Sequence, residues 1–361
     1  MLFNIFTDLD TSSGSVARNA GKISGLGSRC LIITGKNAAK KCGALDDILK
    51  VLRDAEIPYC IFDKILANPS VESCIAAAHF GLENKADFVI GIGGGSPLDA
   101  AKAAGIFLAN PELDEDGFYK TEWKNEPAPV VLVGTTAGTG SEVTAVSVLT
   151  DKFGKKHSLH SNALFASLSL GDPAYTMSLT KEITLSTGID ALTHCIESYF
   201  SNKANDISRT FAVKGISLLM DALEAAFISD NLSIETRSAL YDGSIFGGLA
   251  ICITGTVFPH SLGYYLTEKY GVPHGTACAE YTKNLLLYVR SKCPSYADLF
   301  YSQIQMTENE FINLIEKVRP KSGICLTESE IDPIISRFDC GSVHNTISDI
   351  SLEEIRSILL H

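Results

Sequence analysis

Two pairs of residues in the second half of the chain could share one metal ion. Asp190 and His194 stand four residues apart in TGIDALTHCIESY, and His260 and His274 follow in PHSLGYYLTEKYGVPHG. Apolar residues recur at helical spacing through the first segment, which predicts a helix. Residues four apart then project from one helix face and can bind the same ion. One carboxylate with imidazoles suits Fe²⁺ or Zn²⁺ better than Ca²⁺, which prefers oxygen ligands.

Each of these four residues also has an ordinary structural interpretation. Asp190 and His194 could be a charge near a helix N-terminus and a hydrogen-bonded histidine. His260 could pack in a core behind Pro259, and His274 could be a loop residue. The context of the rest of the sequence is what favours a shared metal site.

A glycine-rich segment in the first half follows a predicted strand. In GIGGGSPLD the loop holds Gly93, Gly94 and Gly95. A helix is expected to begin just after it, with Ser96 as its N-cap and Asp99 completing a capping box. A loop without side chains at a helix N-terminus can bind an anion such as a pyrophosphate. The alternative is a tight turn that merely needs glycine, because Ser96 stands where the last glycine of the full fingerprint would.

A second loop of similar character lies further along the chain. GTTAGTGSE also follows a predicted strand and is dense in hydroxyl groups and glycines. Two such loops at neighbouring strand ends are harder to explain as bare turns. Together they predict a dinucleotide bound across the edge of a sheet.

The elements around these loops alternate between strand and helix. CLIIT, PYCIFDKI, DFVIGIG and PVVLVG are predicted strands with helical stretches between them, which is typical of a parallel sheet covered on both faces. The polar segment PELDEDGFYKTEWKNEPAP is expected to be irregular. From Pro173 onward helical periodicity dominates. We therefore predict an α/β domain over residues 1–172 and a helical domain over residues 173–361.

The length and amino-acid composition restrict the kinds of molecule that the protein is expected to bind. At 361 residues the chain is long enough for two domains. A formal net charge of −12 disfavours binding to nucleic acid. The sequence has no polybasic run and no apolar run of about 20 residues, so a membrane is not an expected partner either. MLFNIFTDLD has neither a basic n-region nor a long apolar h-region, so we expect no export signal there. Ten scattered cysteines without a Cys-x-x-Cys pair fit a reducing cytoplasm.

Five motifs occur in the order found in one enzyme family. GGGSPLDAAK, TTAGTGSEVT, DPAYTMSL, GIDALTHCIESY and VPHG together resemble the iron-containing (group III) alcohol dehydrogenases, over nearly the whole chain. The resemblance implies a Rossmann-like dinucleotide-binding α/β domain followed by an all-α domain, the architecture of dehydroquinate synthase. It also implies a cytoplasmic homodimer and a metal held by Asp190, His194, His260 and His274. The implied cofactor contacts are Asn68, Gly93, Gly94, Gly95, Ser96, Asp99, Thr135, Thr136, Thr139 and Lys156.

Two positions depart from the family pattern. Many members carry a histidine four residues after the third metal ligand, and here that position is Tyr264. Tyr264 is therefore only a candidate for the proton relay. Where many NAD-dependent members have an acidic residue after the first strand, this chain has Gly35 followed by Lys36. Without a carboxylate to repel a 2′-phosphate, we expect NADP(H) to be preferred over NAD(H), unless Gly35 only ends the strand and Lys36 is merely solvated.

The resemblance implies that the protein interconverts a small, primary alcohol and its aldehyde. Bound Fe²⁺ or Zn²⁺ would polarise the substrate oxygen, and the nicotinamide would carry the hydride. One alternative is a cyclising lyase like 3-dehydroquinate synthase, although the second loop lacks the lysine that would grip an acidic substrate. Another is a non-catalytic nucleotide-binding regulatory protein, although an intact ligand set argues against a decayed site.

Overall fold

The chain divides into two compact units, which we call the α/β unit and the helical unit. The computed structural model describes residues 4–335 and 341–360. The α/β unit comprises Leu2–Thr136 and Ser141–Leu179, and the helical unit comprises Ala137–Gly140 and Thr180–His361.

The boundary between the units differs slightly from the predicted one. The turn that follows Asp172 stays with the α/β unit, because the hydroxyl of Tyr175 donates a hydrogen bond to Asp47 at 2.6 Å. Local sequence patterns cannot predict a side-chain contact between residues so far apart in the sequence. The helical unit therefore begins at Thr180 and takes in a short piece of the second glycine-rich loop.

The described residues of the α/β unit form eight strands. They are β1 (Asp8–Asp10), β2 (Cys30–Thr34), β3 (Tyr59–Phe62), β4 (Phe88–Gly93), β5 (Val130–Gly134), β6 (Val146–Thr150), β7 (Lys156–His160) and β8 (Leu168–Gly171). Six form a parallel sheet in the order β1-β8-β5-β4-β2-β3, and β6 and β7 form an antiparallel pair. The four predicted strands are confirmed as β2 to β5, whereas the short edge strand β1, the hairpin and β8 were not predicted.

Helices cover the sheet in this unit. They are α1 (Ser15–Arg18), α2 (Ala20–Ser24), α3 (Ala38–Lys41), α4 (Ala44–Asp54), α5 (Val71–Glu83), α6 (Gly95–Ala109) and α7 (Glu115–Tyr119), with 3-10 turns at Ser141–Val143, Asn162–Leu164 and Pro173–Thr176. Along β2, Leu31 and Ile33 pack into one apolar core, whereas Ile32 packs into another. Because successive side chains of a strand face opposite sides, both faces of the sheet are covered, as predicted.

The start of α6 differs from its prediction. Its N-cap is Gly94, and no side chain caps the helix. Asp99 does not complete a capping box, because its carboxylate accepts hydrogen bonds from the Ser141 hydroxyl at 2.6 Å and from the Val148 amide at 3.0 Å. The Asp99 carboxylate thus ties α6 to the β6 hairpin.

The polar segment of residues 111–129 is more ordered than expected. It contains α7, whose N-cap Asp114 accepts a hydrogen bond from the Gly117 amide at 2.8 Å. Phe118 is fully buried and stacks on Phe107 of α6, with ring centroids 5.0 Å apart. A few aromatic residues in a polar segment are enough to dock it on the core, which average polarity does not reveal.

The helical unit consists of helices in the residues that the structure describes. They are α8 (Lys181–Tyr199), α9 (Asp206–Ile228), α10 (Ile234–Thr254), α11 (Phe258–Tyr270), α12 (His274–Ala279), α13 (Thr282–Lys292), α14 (Pro294–Ile304), α15 (Glu308–Val318), α16 (Glu328–Ile335), α17 (Gly341–His344) and α18 (Leu352–Leu360). α8 packs against α9, α10 and α12. Among the described helices, no single one is long and apolar enough to cross a membrane. α10 and α11, bent by 110° to each other, meet that length and composition test only as a pair.

Candidate metal centre and nucleotide loops

Asp190 and His194 lie on the buried face of α8. The helix begins after Thr180, whose hydroxyl accepts a hydrogen bond from the Ile183 amide at 3.4 Å. Both side chains are almost completely buried, at 3% and 5% exposure. The predicted helix is confirmed, and it places the two side chains one turn apart as a shared ligand pair requires.

His260 and His274 come from the first turns of two other helices. His260 follows Pro259 at the start of α11, and His274 is the first residue of α12. A Cβ atom on Gly275 would lie 1.9 Å from the Ser186 carbonyl oxygen of α8. Only glycine therefore allows α12 to begin so close to α8, and this close approach brings His274 to Asp190.

The four predicted ligands converge on one carboxylate oxygen. Asp190 Oδ1 lies 3.6 Å from His260 Nε2, 3.9 Å from His274 Nε2 and 4.0 Å from His194 Nε2. In a tetrahedral site with bonds of about 2.0–2.2 Å, neighbouring donor atoms are about 3.4 Å apart. The observed separations are slightly wider. The ligand atoms of Asp190, His260 and His274 also lie within 4.8 Å of one another, a group that does not include His194, so His194 would have to move to complete a four-ligand site.

Three side-chain atoms of this cluster lack the hydrogen bonds expected of buried polar groups, and one of them is His194 Nδ1. Asp190 Oδ1 and His260 Nε2 are buried, and neither hydrogen-bonds to any residue within 4–335 or 341–360. Buried polar atoms are nearly always satisfied, and an orphaned pair facing each other needs an explanation. A cation between them would satisfy both, so the residues present fit a metal ion.

The protonation of the cluster also suits a cation. Burial alone would raise the pKa of Asp190, but the charges of His194 and His274 hold it well below its usual range. Burial lowers the pKa of His194 to about 4. At neutral pH Asp190 is therefore an ionised carboxylate and His194 a neutral imidazole, the forms that bind metals. Burial would lower the pKa of His260, but the neighbouring Cys278 and Glu197 raise it well above its usual value, so metal binding at Nε2 displaces a proton.

Glu197 orients His260 and was missed in the sequence. Its Oε1 atom lies 2.5 Å from His260 Nδ1, and its Oε2 atom accepts a hydrogen bond from the Val257 amide at 2.6 Å. Burial raises the pKa of the Glu197 carboxyl, and the neighbouring His260 opposes that shift. With Nδ1 engaged by Glu197, Nε2 of His260 faces Asp190. Its position seven residues after Asp190, on the same helix face, is a signal that could have identified it.

Cys278 is a second residue that the sequence did not indicate. Its sulfur and the ligand atoms of Asp190, His260 and His274 all lie within 4.8 Å of one another. The sulfur is 3.8 Å from His274 Nε2 and 3.5 Å from Nδ1. Cys278 stands one helical turn after His274 on α12, and that spacing could have identified it.

Tyr264 lies beside the cluster. Its ring stacks on that of His274, with centroids 5.5 Å apart and planes at 21°. The two residues come from α11 and α12. Tyr264 thus contacts a candidate ligand directly, and packing accounts for its position.

The glycine-rich loops leave the sheet side by side in the α/β unit. Gly93 of β4 pairs with Gly134 of β5, and the Thr135 amide donates to the Gly93 carbonyl at 2.9 Å. A Cβ atom on Gly94 would lie 2.9 Å from the Thr136 hydroxyl, so glycine is needed where the loops meet. Gly95 opens α6 directly. The amides at this helix start have no side-chain cap and are available to an anion.

The other predicted cofactor residues lie in two places. The Asn68 amide donates to Ser96 Oγ at 3.3 Å, and the Asn68 carbonyl accepts from Thr150 at 3.1 Å. Lys156 pairs with Thr150 in the β6–β7 hairpin. Asn68, Thr150 and Lys156 therefore lie close to Ser96 at the start of α6. Thr139 belongs instead to the short loop piece grouped with the helical unit.

The end of β2 is cationic. Gly35 follows the strand directly, and Lys36 is exposed. Lys40 and Lys41 of α3 are exposed as well, and none of the three lysines forms an ion pair with a residue in the described part of the chain. A Cβ atom on Gly35 would lie 3.3 Å from the Ile65 carbonyl oxygen, so a small side chain fits tightly there.

A Rossmann-like sheet with glycine-rich loops and a helical unit with clustered metal ligands are typical of metal-dependent dehydrogenases. The chain belongs to the iron-containing alcohol dehydrogenase family. The family model "Iron-containing alcohol dehydrogenase" matches residues 10–173, and the model of the C-terminal part of Fe-containing alcohol dehydrogenases matches residues 184–307.

Individual relatives agree with this assignment. Long-chain-alcohol dehydrogenase 1 from Geobacillus thermodenitrificans is 31% identical over 80% of this chain and 73% of its own length. A 1,3-propanediol dehydrogenase from Citrobacter freundii is 33% identical over 71% of this chain and 69% of its own length. The solved structure of an iron-containing alcohol dehydrogenase from Thermotoga maritima is 33% identical, with a TM-score of 0.90, covering 99% of this chain and 98% of that one. These findings support the alcohol dehydrogenase and not the alternatives of a cyclising lyase or a regulatory protein.

Proposed function

We propose that the protein is an iron-dependent, NADP(H)-preferring dehydrogenase that interconverts a small primary alcohol and its aldehyde. The observation that carries the proposal is the convergence of Asp190 with three histidines in a member of this family. Iron follows from the family, and zinc is the alternative because it accepts the same ligands. The names of the relatives cover a long-chain alcohol and a short diol, so chain length is left open.

The side chains of the cluster have distinct tasks in this proposal. When bound, the cation would supply Lewis-acid polarisation of the alcohol oxygen. The ionised Asp190 would offset part of the charge of the cation, and the neutral His194 would donate a nitrogen lone pair to it. Glu197 keeps His260 in the orientation that presents Nε2. The His274 side chain is 27% exposed and His260 only 3%, so solvent, and with it substrate, reaches the cluster on the His274 side.

The start of α6 is the proposed seat of the pyrophosphate. Its amides without a side-chain cap and the positive end of the helix dipole favour an anion. Gly93 and Gly94 let the loop pack against Pro97 and Thr136, where a side chain would collide. Asn68, Ser96, Thr135 and Thr136 would contact the nucleotide around it. Asp99 acts indirectly in this proposal, because its carboxylate is engaged by Ser141 and Val148.

The charge at the end of β2 supports the cofactor preference. A 2′-phosphate carries negative charge, and Lys36, Lys40 and Lys41 provide cations without competing partners among the described residues. Gly35 provides no carboxylate that would repel it. The two features act in the same direction, toward NADP(H) over NAD(H).

The metal-dependent activity can be tested by replacing one candidate ligand, His274, and one control histidine, His79. Wild-type protein purified without oxygen should bind iron and oxidise NADPH in the presence of aldehydes from a panel of chain lengths. His274→Ala should lose metal and turnover together, because it removes one donor. His79→Ala, an exposed histidine of α5, is the matched control and should retain both. Full metal content and full activity in His274→Ala would contradict the proposal.

The cofactor preference can be tested at Gly35. Gly35→Asp should raise the KM for NADPH far more than the KM for NADH, because the new carboxylate repels the 2′-phosphate. Gly35→Ala controls for the tight contact with the Ile65 carbonyl and should affect both cofactors alike. A wild-type protein efficient with NADH and indifferent to NADPH would refute the preference.

We further propose that the protein is a cytoplasmic homodimer. The family resemblance supports the dimer. No disulfide joins the nine cysteines in the described residues, which suits a reducing compartment, and Cys340 lies outside those residues. Light scattering of the purified protein tests the oligomeric state, and a monomer at working concentrations would contradict it.

A further inference from the structure

Helix α6 carries a buried cation outside the metal centre and the glycine-rich loops. The side chain of Lys102 is only 1% exposed, although lysine is among the residues that are least often buried. We propose that Lys102 is a positioning residue for the nucleotide, because it holds strand β6 alongside the start of α6. The inference rests on the proposed seat of the pyrophosphate and adds a residue that acts on the cofactor indirectly.

The ammonium group of Lys102 is bound by backbone carbonyl groups. Its Nζ atom donates hydrogen bonds to the Thr144 carbonyl at 2.9 Å and to the Val146 carbonyl at 2.8 Å, and the Thr144 hydroxyl lies 3.4 Å away. Thr144 precedes β6, and Val146 is the first residue of that strand. A buried charge is costly unless such partners surround it, so the ammonium group connects α6 firmly to the start of β6.

Asp99 binds the same strand with the opposite charge. It stands three residues before Lys102 on α6, and its Oδ1 atom lies 3.8 Å from Lys102 Nζ. The Asp99 carboxylate accepts a hydrogen bond from the Val148 amide at 3.0 Å, whereas the ammonium group donates to the Val146 carbonyl. The pair of charges therefore binds both a donor and an acceptor of the β6 backbone.

The two charged side chains take the place of a neighbouring strand. Within the part of the chain that the structure describes, β6 pairs with β7, and its other edge forms only a single bridge between Thr150 and Ser70. Every second residue of β6 has a backbone group bonded away from β7, because the Thr150 amide donates to the Pro69 carbonyl at 2.8 Å while Val146 and Val148 bind α6. Backbone groups at such an edge need partners, and α6 supplies them through side chains.

The far end of β6 contacts the candidate nucleotide residues. The Thr150 hydroxyl donates to the Asn68 carbonyl at 3.1 Å, and the Asn68 amide donates to Ser96 Oγ at 3.3 Å, at the start of α6. Lys156 of β7 pairs with Thr150. Because side chains of α6 hold β6 in place, removal of the Lys102 ammonium group should let Asn68 and Lys156 move away from the proposed pyrophosphate seat.

Two substitutions of Lys102 and one control separate positioning from stability. Lys102→Met keeps the length of the side chain without its charge, and Lys102→Gln keeps a neutral donor. The control is Leu108→Ala, also in α6, where the buried leucine packs in the apolar core beside Gly81 of α5. For each full-length protein, cofactor fluorescence measures the Kd for NADPH and NADH, and calorimetry measures thermal unfolding. Hydrogen–deuterium exchange measures the protection of the amides of residues 144–150.

Both Lys102 variants should bind NADPH and NADH about tenfold or more weakly, because two buried carbonyl groups lose their donor and the pyrophosphate is common to both cofactors. The loss should appear in the KM for the cofactor rather than in kcat. The amides of residues 144–150 should exchange faster than in wild type. Metal content should match wild type, because the candidate ligands lie in the helical unit. Leu108→Ala should unfold at a lower temperature and keep the wild-type affinity for both cofactors.

A folded Lys102 variant that binds both cofactors as tightly as wild type overturns the inference. An equal loss of affinity in Leu108→Ala also overturns it, because the effect would then follow stability alone. If neither Lys102 variant folds while Leu108→Ala does, Lys102 serves the fold itself and the positioning role is wrong. Wild type that binds neither NADPH nor NADH contradicts the proposed nucleotide site, and this inference with it.

Discussion

The orientation of His260 depends on a residue that is not itself a candidate ligand. Glu197 contacts His260 Nδ1 through one carboxylate oxygen and the Val257 amide through the other. A histidine that binds a metal through Nε2 is commonly fixed by a carboxylate on Nδ1, which also makes the ring a better donor. Glu197 is therefore a positioning residue, acting on the ion through His260.

Glu197→Gln should weaken metal binding while leaving the fold intact. The amide oxygen can still contact Nδ1, but the negative charge that strengthens His260 as a ligand is lost. We expect a loss of about 10- to 100-fold in metal affinity. A chelator competition on the purified variant measures this. Glu182→Gln, an exposed carboxylate in the first turn of α8, is the control. Equal affinities in the two variants would show that Glu197 only fills space.

Tyr264→Phe should leave the rate nearly unchanged. The ring stacks on His274, and phenylalanine preserves that contact. A protonated phenol is a poor proton acceptor at neutral pH. A missing general acid–base group would instead cost about 10²-fold or more. A pH–rate profile distinguishes the two, because the variant would lose one limb if the hydroxyl relayed the proton.

At the scale of elements, the site depends on how closely α12 approaches α8. The first residue of α12 is a candidate ligand, and the second is Gly275, whose Cα faces the Ser186 carbonyl of α8 without room for a side chain. The two neighbouring residues therefore have different roles. His274 supplies a candidate metal ligand, and Gly275 allows α12 to approach α8 closely enough to place that ligand beside Asp190.

Gly275→Ala should both destabilise the protein and reduce its metal content. A Cβ atom 1.9 Å from a backbone oxygen forces the two helices apart, and overpacking of this kind costs about 1–3 kcal/mol or more. Urea unfolding and metal analysis measure the two effects. Gly21→Ala in α2 is the control, since its Cβ atom would meet open space. A Gly275→Ala protein as stable and as metal-rich as wild type would show that the helices can separate without cost.

At the scale of the whole molecule, the two kinds of predicted site lie in different compact units. Asp190, His194, His260 and His274 all belong to the helical unit, and they come from α8, α11 and α12. The glycine-rich start of α6 belongs to the α/β unit. One ion would therefore connect three helices of one unit and none of the other.

Removal of the metal should lower the stability of the helical unit and leave nucleotide binding in place. A ligand present at about 1,000 times its Kd stabilises the form that binds it by about 4 kcal/mol. Calorimetry before and after chelation measures the loss, and the fluorescence of bound NADPH measures nucleotide affinity. If chelation abolished NADPH binding, the two sites would not be separable in this way.

Much of this organisation was predictable from local patterns in the sequence. The parallel strands follow from short apolar runs ending in glycine, and α8 follows from apolar residues at helical spacing. Asp190 and His194 are one turn apart on any helix, so their shared face needed no tertiary information. The glycine-rich loops could be placed together because parallel strands end at the same edge of a sheet.

Other features depended on contacts between elements distant in sequence. Ser96 and Asp99 look like a helix cap locally, yet Asp99 turns to Ser141 and Val148 because the hairpin packs beside α6. Glu197 shares a helix face with Asp190, and Cys278 shares one with His274, as their spacing could have shown. Only the packing of α11 and α12 against α8, however, brings Glu197 to His260 and Cys278 to Asp190. Periodicity determines which face a side chain occupies, whereas the distance between faces is determined by how side chains of different helices fit together.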